Sequence, residues 1–204
     1  MASLPTPARR VALEVMRELR RGELLDRSVD RRGRELAPRD LAWIRELLYG
    51  TQRLRGRLDH ILAARVRNGL DALEPDVLDV LRLGAYQLLE MGGVPRYAAI
   101  SQSVELVRAA GSARAAGLVN GVLRAVDRQR GSESFPDRAA EPEAYLAGWG
   151  SHPRWMVERW LGRWGFEETE RLLDANNRRP QLYIRPVGTS VPDAVDALRH
   201  AGVE

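Results

Sequence analysis

Apolar residues recur at helical spacing along most of this chain. Val11, Val15 and Leu19, with Ala8, Ala12 and Met16 beside them, form a first stripe. Thr6-Pro7 precedes it, a hydroxyl N-cap followed by proline at the first helical position, and Gly22 closes it. A short helical turn is expected over 24–32. Pro38 starts the next helix, with Leu41, Ile44, Leu47 and Leu48 facing inward, and Gly50 or Gly56 should break or kink it. Leu58, Ile61 and Leu62 carry a further helix, and 70–73 reads as a turn. Pro75 begins a helix apolar nearly all round (Val77, Val80, Leu81, Leu83, Leu88, Leu89), the pattern of a buried element, and Gly92-Gly93 ends it. Helices over 96–110 and 112–129 follow, the first stopped by Gly111 and the second capped by Ser112.

The period then lapses. Residues 131–141, GSESFPDRAAE, replace it with Gly, Ser, Pro and charge, which predicts a linker. Helices are expected over 142–148, 152–164 and 166–176, with Met156, Trp160 and Trp164 descending one face. Leu182–Val187 is the one clear strand signal, and 192–201 reads as a helix. A lone strand and helix cannot bury both faces of a sheet, so this end reads as a fragment of a domain or as one that needs a partner. The expected organisation is all-α: a helical bundle over 5–130, the linker over 131–141, a helical connector over 142–179, and over 180–204 the truncated start of a small α/β (RRM-like) subdomain.

Charge sharpens this outline. All 32 basic residues are arginine, whose planar fork grips phosphate bidentately. Residues 1–70 hold 16 Arg against 9 acidic residues, residues 71–130 are balanced, and residues 131–204 are net acidic. The positive field therefore lies on the N-terminal helices, as a polyanion partner would require, although a solvated Arg-rich surface gives the same count. The absence of cysteine excludes disulfides, thiolate metal sites and thiol catalysis by these residues. His60, His152 and His200 are far apart, with no acidic pair at ligand spacing, so no metal site is expected. No run of about 18 apolar residues predicts a membrane span, and the N-terminus has no secretory apolar core; a cytoplasmic location is expected.

PARRVALEVMREL, DLAWIRELLYGTQRLRGRLDHIL, LRLGAYQLL, VPRYAAISQSVEL and LVNGVL make residues 7–128 resemble the NusB family of helical RNA-binding domains. SHPRWMVERWLGRWGFEETERLLDANNRRPQLYIRPV resembles the segment that joins a NusB-like domain to the catalytic domain in bacterial small-subunit rRNA cytosine-5 methyltransferases (the RsmB, Sun or Fmu group). The resemblance implies an RNA-binding accessory region. It would orient ribosomal RNA for a methyltransferase domain, in the same or a separate chain, that holds S-adenosylmethionine and two cysteines. Neither the cysteines nor a Gly-rich strand-to-helix loop is present here; GRWG at 162–165 lies in a helical pattern, and no cofactor is expected on these residues. The alternatives are a NusB-type transcription antitermination factor, for which the tail from Ser151 to Val187 would have no use, and a purely structural or dimerising domain. A homodimer is left open.

The resemblance places RNA contact at the Arg-rich start of the first helix, at Arg9 and Arg10. Arg53, Arg55 and Arg57 cannot share one helical face, so they fan out as phosphate donors if Gly56 breaks the helix, or else form a helix end paired with Asp59. Arg96 and Tyr97, after the Gly-Gly loop, are further RNA candidates through charge and stacking. Tyr86 is expected to pack in the core with its hydroxyl at the edge. Asn120 is expected to bond a neighbouring backbone near Pro95. Trp155 and Trp160 are expected to form the core of the connector, with an exposed stacking patch as the other reading.

Overall fold

A computed structural model describes residues 4–180 and 183–202, and among them the only regular elements are helices. The first seven are α1 (Pro7–Arg20), α2 (Leu25–Arg32), α3 (Pro38–Arg53), α4 (Arg55–Ala63), α5 (Pro75–Leu89), α6 (Arg96–Ala109) and α7 (Ala116–Arg128), with 3-10 turns at Leu70–Ala72 and Ala113–Ala115. Helix α5 is the axis, packed by α1, α3, α4, α6 and α7. That position explains its all-round apolar sequence: Val77, Val80, Leu81, Leu83, Ala85, Tyr86 and Leu88 are all buried.

Two glycines let helices approach this axis closely. A Cβ on Gly50 would fall within the van der Waals envelope of the Tyr86 hydroxyl and ring, and one on Gly84 would collide with Leu123 and Ser103. Tyr86 is buried as expected, and its hydroxyl reaches the core's edge to donate to Glu46 Oε1 at 2.9 Å. The predicted break between α3 and α4 comes at Leu54, between the two glycines.

Many N-terminal arginines fasten helices together. Arg17 reaches Asp76 at 2.5 Å, and Arg20 pairs with Asp76 and Asp79, tying α1 to α5. Arg31 and Arg32 from α2 converge on Glu18 of α1 at 2.8 and 2.7 Å. Burial of Glu18 alone would raise its pKa. The hydrogen bonds from Arg31 and Arg32 outweigh that burial and hold the carboxyl at about 2.

Beyond the bundle lie α8 (Pro142–Trp149), α9 (Arg154–Asn177) and α10 (Val191–His200). Helix α9 is two helices joined across a kink at Gly165 (φ 77°), a left-handed conformation that glycine adopts without strain. Its small core consists of Leu146, Val157 and Leu173, with Trp149, Trp160, Leu161 and Phe166 packed around it. The segment 131–141 has no helix, yet it is held to the bundle. Phe135 packs against the main core and stacks on His60 with ring centroids 4.9 Å apart, while His60 Nε2 lies 2.9 Å from the Ser134 carbonyl.

Several expectations need correction. The strand expected over 182–187 does not form across Tyr183–Val187, which belong to no regular element; Leu182 lies outside the described residues. An unpaired strand has nowhere to place its backbone hydrogen bonds. Thr6 and Ser112 do not cap through their side chains: the Thr6 hydroxyl accepts from Arg9 and the Ser112 hydroxyl donates to Glu74. Trp155 is 60% exposed and contributes no core, because Val157 takes the inward position of that turn. Trp160 keeps its expected place against the connector core, half-buried and leaning on His152 and Trp164. Asn120 makes no bond toward Pro95; its Oδ1 accepts from Arg124 one turn along its own helix at 3.1 Å.

Candidate nucleic-acid interface

The starts of α1, α3 and α6 meet at one end of the bundle. Each follows a proline-led pattern: Pro7 with Arg9 and Arg10, Pro38 with Arg39, and Pro95 with Arg96. Proline at the first turn removes a donor that the helix could not have paired. Between the three starts runs an open groove of about 570 Å³, lined by residues 6–9, by Arg39, Asp40 and Trp43, and by residues 93–95 and Ala98.

Arg9 is the groove's inner wall. It is only 9% exposed. Its Nε and Nη2 donate to Gln87 Oε1 at 3.0 and 2.7 Å, its Nη1 donates to Thr6 Oγ1 at 3.1 Å, and its guanidinium lies 4.8 Å from the centroid of the Trp43 ring. Burial lowers its pKa from the usual arginine value. Gln87 in turn donates to the Leu83 carbonyl at 2.9 Å. The Thr6 backbone N–H donates to Gln102 Oε1 at 2.8 Å, closing the α1 start against α6. These bonds fix Arg9 internally, which is a correction to its expected role as an outward phosphate grip.

The other expected residues are spread over several places. Arg10 is exposed and lies with Glu14 and Arg17 beside Leu106, on the α6 flank of α1. Tyr97 is 77% exposed beside the groove, and Arg96 is exposed with Asp127 at 3.5 Å. Arg53, Arg55 and Arg57 do not line this groove. The Arg53 Nε is buried without a hydrogen-bond partner among the described residues. Arg55 has Asp59 only at 3.9 Å, because Arg82 takes both Asp59 oxygens at 2.7 and 2.8 Å. Arg57 is turned toward the connector: its Nε donates to the Trp149 carbonyl at 2.7 Å and its guanidinium lies over the Trp149 ring, and burial lowers its pKa. Each of the two expected groups, Arg9 with Arg10 and Arg53 with Arg55 and Arg57, is therefore divided between inward-bound and exposed members.

Sequence reading missed Arg39 and Trp43. Arg39 is exposed and has no ion-pair partner among the described residues, as is also true of Arg10, Arg21, Arg27, Arg34 and Arg67. The repeated Pro-Arg pattern at three helix starts would have pointed to Arg39. Trp43 reads as one more apolar residue of α3, and only the fold turns it to the groove. Among the described residues no cluster of His, Asp or Glu could hold a metal ion, and no helix is long and apolar enough to cross a membrane.

Residues 6–128 match the NusB family, and residues 152–204 match the methyltransferase RsmF/B-like, ferredoxin-like domain. A putative methyltransferase of Mycobacterium tuberculosis is 35% identical over 206 residues, covering 95% of this chain and 44% of that protein. A probable ribosomal RNA small subunit methyltransferase B of Bacillus subtilis is 32% identical over 205 residues, covering 98% of this chain and 45% of that protein. The chain thus spans less than half the length of these curated relatives. The solved structure of NusB from T. maritima superposes with a TM-score of 0.55 at 23% identity, covering 62% of this chain and 94% of that one, a likeness of fold.

Proposed function

The chain belongs to the NusB family, and from that premise we propose that it is the RNA-binding accessory region of an rRNA cytosine-5 methyltransferase. The observation that carries this reading is the groove between the starts of α1, α3 and α6, with an unpaired Arg39 at its rim and Arg96 and Tyr97 beside it. Exposed guanidinium groups there neutralise phosphates and fix the register of the RNA, a sequence-independent and salt-dependent contact. The helical scaffold sets where that RNA leads. Methyl transfer from S-adenosylmethionine, and the cysteine attack on the cytosine ring that the family resemblance implies, require residues outside these 204, which include no cysteine. The match of residues 152–204 to a methyltransferase-associated domain supports this reading over an antitermination factor.

The test is binding of the chain to small-subunit rRNA fragments by fluorescence anisotropy across salt. Affinity should fall steeply between low and physiological salt. The double substitution Arg39→Ala and Arg96→Ala should reduce the slope of log K against log salt by about two. An affinity indifferent to salt, or no binding at low salt, overturns the reading.

A further inference from the structure

Trp43 stands where two hollows meet. It lines the groove described above and also a second hollow of about 360 Å³, formed with Glu46, Glu90, Met91, Gly93, Val94 and Arg179. The indole is half-buried and held in place, with the Arg9 guanidinium over its ring and Arg9 locked to Gln87 and through it to α5. Such a fixed ring loses little conformational freedom when a flat ligand settles on it. Arg39 lies four residues before Trp43, on the same face of α3. The cation without an ion-pair partner and the aromatic surface are thus one helical turn apart. The far hollow is lined by Glu90, an exposed carboxylate, and by Glu46, whose two oxygens are taken by the Tyr86 hydroxyl and by Arg179. The Glu90 carboxylate repels phosphate but accepts hydrogen bonds from the N–H edge of a base.

We infer that Trp43 is a stacking seat for one unpaired nucleobase, whose phosphate stays at Arg39 while its edge points toward Glu90. The inference rests on the RNA-binding reading above and refines it, because a base can reach an aromatic side chain only when it is free of a duplex. Arginines alone would favour the denser charge of a helix; a stacking seat favours a single strand.

The experiment uses the 204-residue chain with two fluorescent probes, a 10-mer of oligocytidine and a blunt RNA hairpin, both at fixed salt. The wild type should prefer the single strand. Trp43→Leu keeps apolar volume but removes the π-face. It should weaken single-strand binding about tenfold, leave hairpin binding unchanged and preserve the salt slope. Trp43→Phe should retain most of the affinity. Arg39→Ala should instead lower the salt slope by about one for both probes. Thermal melts of each variant confirm the fold. If the Leu and Phe variants bind the single strand alike, or Trp43→Leu weakens both probes equally, the stacking seat is overturned while RNA binding stands. Failure of the wild type to bind either probe at low salt overturns the RNA-binding reading itself.

Discussion

The bundle of α1–α7 and the region of α8–α9 are both helical, but they are held together by different means. The bundle buries an extended apolar core around α5, with Leu81, Leu47, Leu62 and Leu123 fully enclosed. The apolar core of the later region encloses Leu146, Val157 and Leu173. It leans on the bundle through directed contacts instead. The Ser151 hydroxyl accepts from the backbone N–H groups of Gly56 and Arg57 at 2.9 and 3.3 Å and donates to the Arg53 carbonyl at 3.0 Å, while Arg57 bonds the Trp149 carbonyl. The first region is stabilised by apolar burial; the second owes its position to a few polar and cation–aromatic bonds.

The largest expected effect contrasts the two cores. Leu81→Ala should cost about 3–5 kcal/mol of global stability, read as a lower urea midpoint. Leu173→Ala should leave that midpoint nearly unchanged and raise hydrogen exchange in α8 and α9 alone. A shared transition, lowered by both variants, would merge the two regions into one cooperative unit. Next in size, Ser151→Ala combined with Arg57→Ala should release the connector at a cost of about 2 kcal/mol. The signature is faster exchange across α8 and at the first turn of α4, with α5 still protected. The smallest effect concerns the fastening of α2 to α1. Folded Glu18 titrates at about 2 against 4.5 for the free group, so its ion pairs contribute fully above about pH 4.5 and fade as the pH falls toward 2. Glu18→Gln should therefore lower the melting temperature at pH 6 more than at pH 3.

The bundle was readable because its helices announce their own ends. Pro7, Pro38 and Pro75 stand at first helical positions, Gly22 and Gly111 follow helix ends, and the glycine of 165 divides α9 as the periodicity required. The site was less legible, because an arginine's partner is a matter of tertiary geometry. The excess charge of the first 70 residues looked like a free field; Asp76, Asp79 and Glu18 take up Arg17, Arg20, Arg31 and Arg32. Arg9 carried the same one-letter signal as Arg39, and only packing sends one inward to Gln87 and leaves the other at the rim. Helical spacing grouped Met156, Trp160 and Trp164, yet Val157 faces the core, since a three-residue stripe does not fix which edge of an amphipathic face is deepest.

Ser151 carries one further consequence. Its hydroxyl seals a bend formed about ninety-five positions earlier in the chain. During synthesis the residues of that bend leave the ribosome before the serine does. A chain ending before Ser151 would leave the backbone N–H groups of Gly56 and Arg57 without this acceptor.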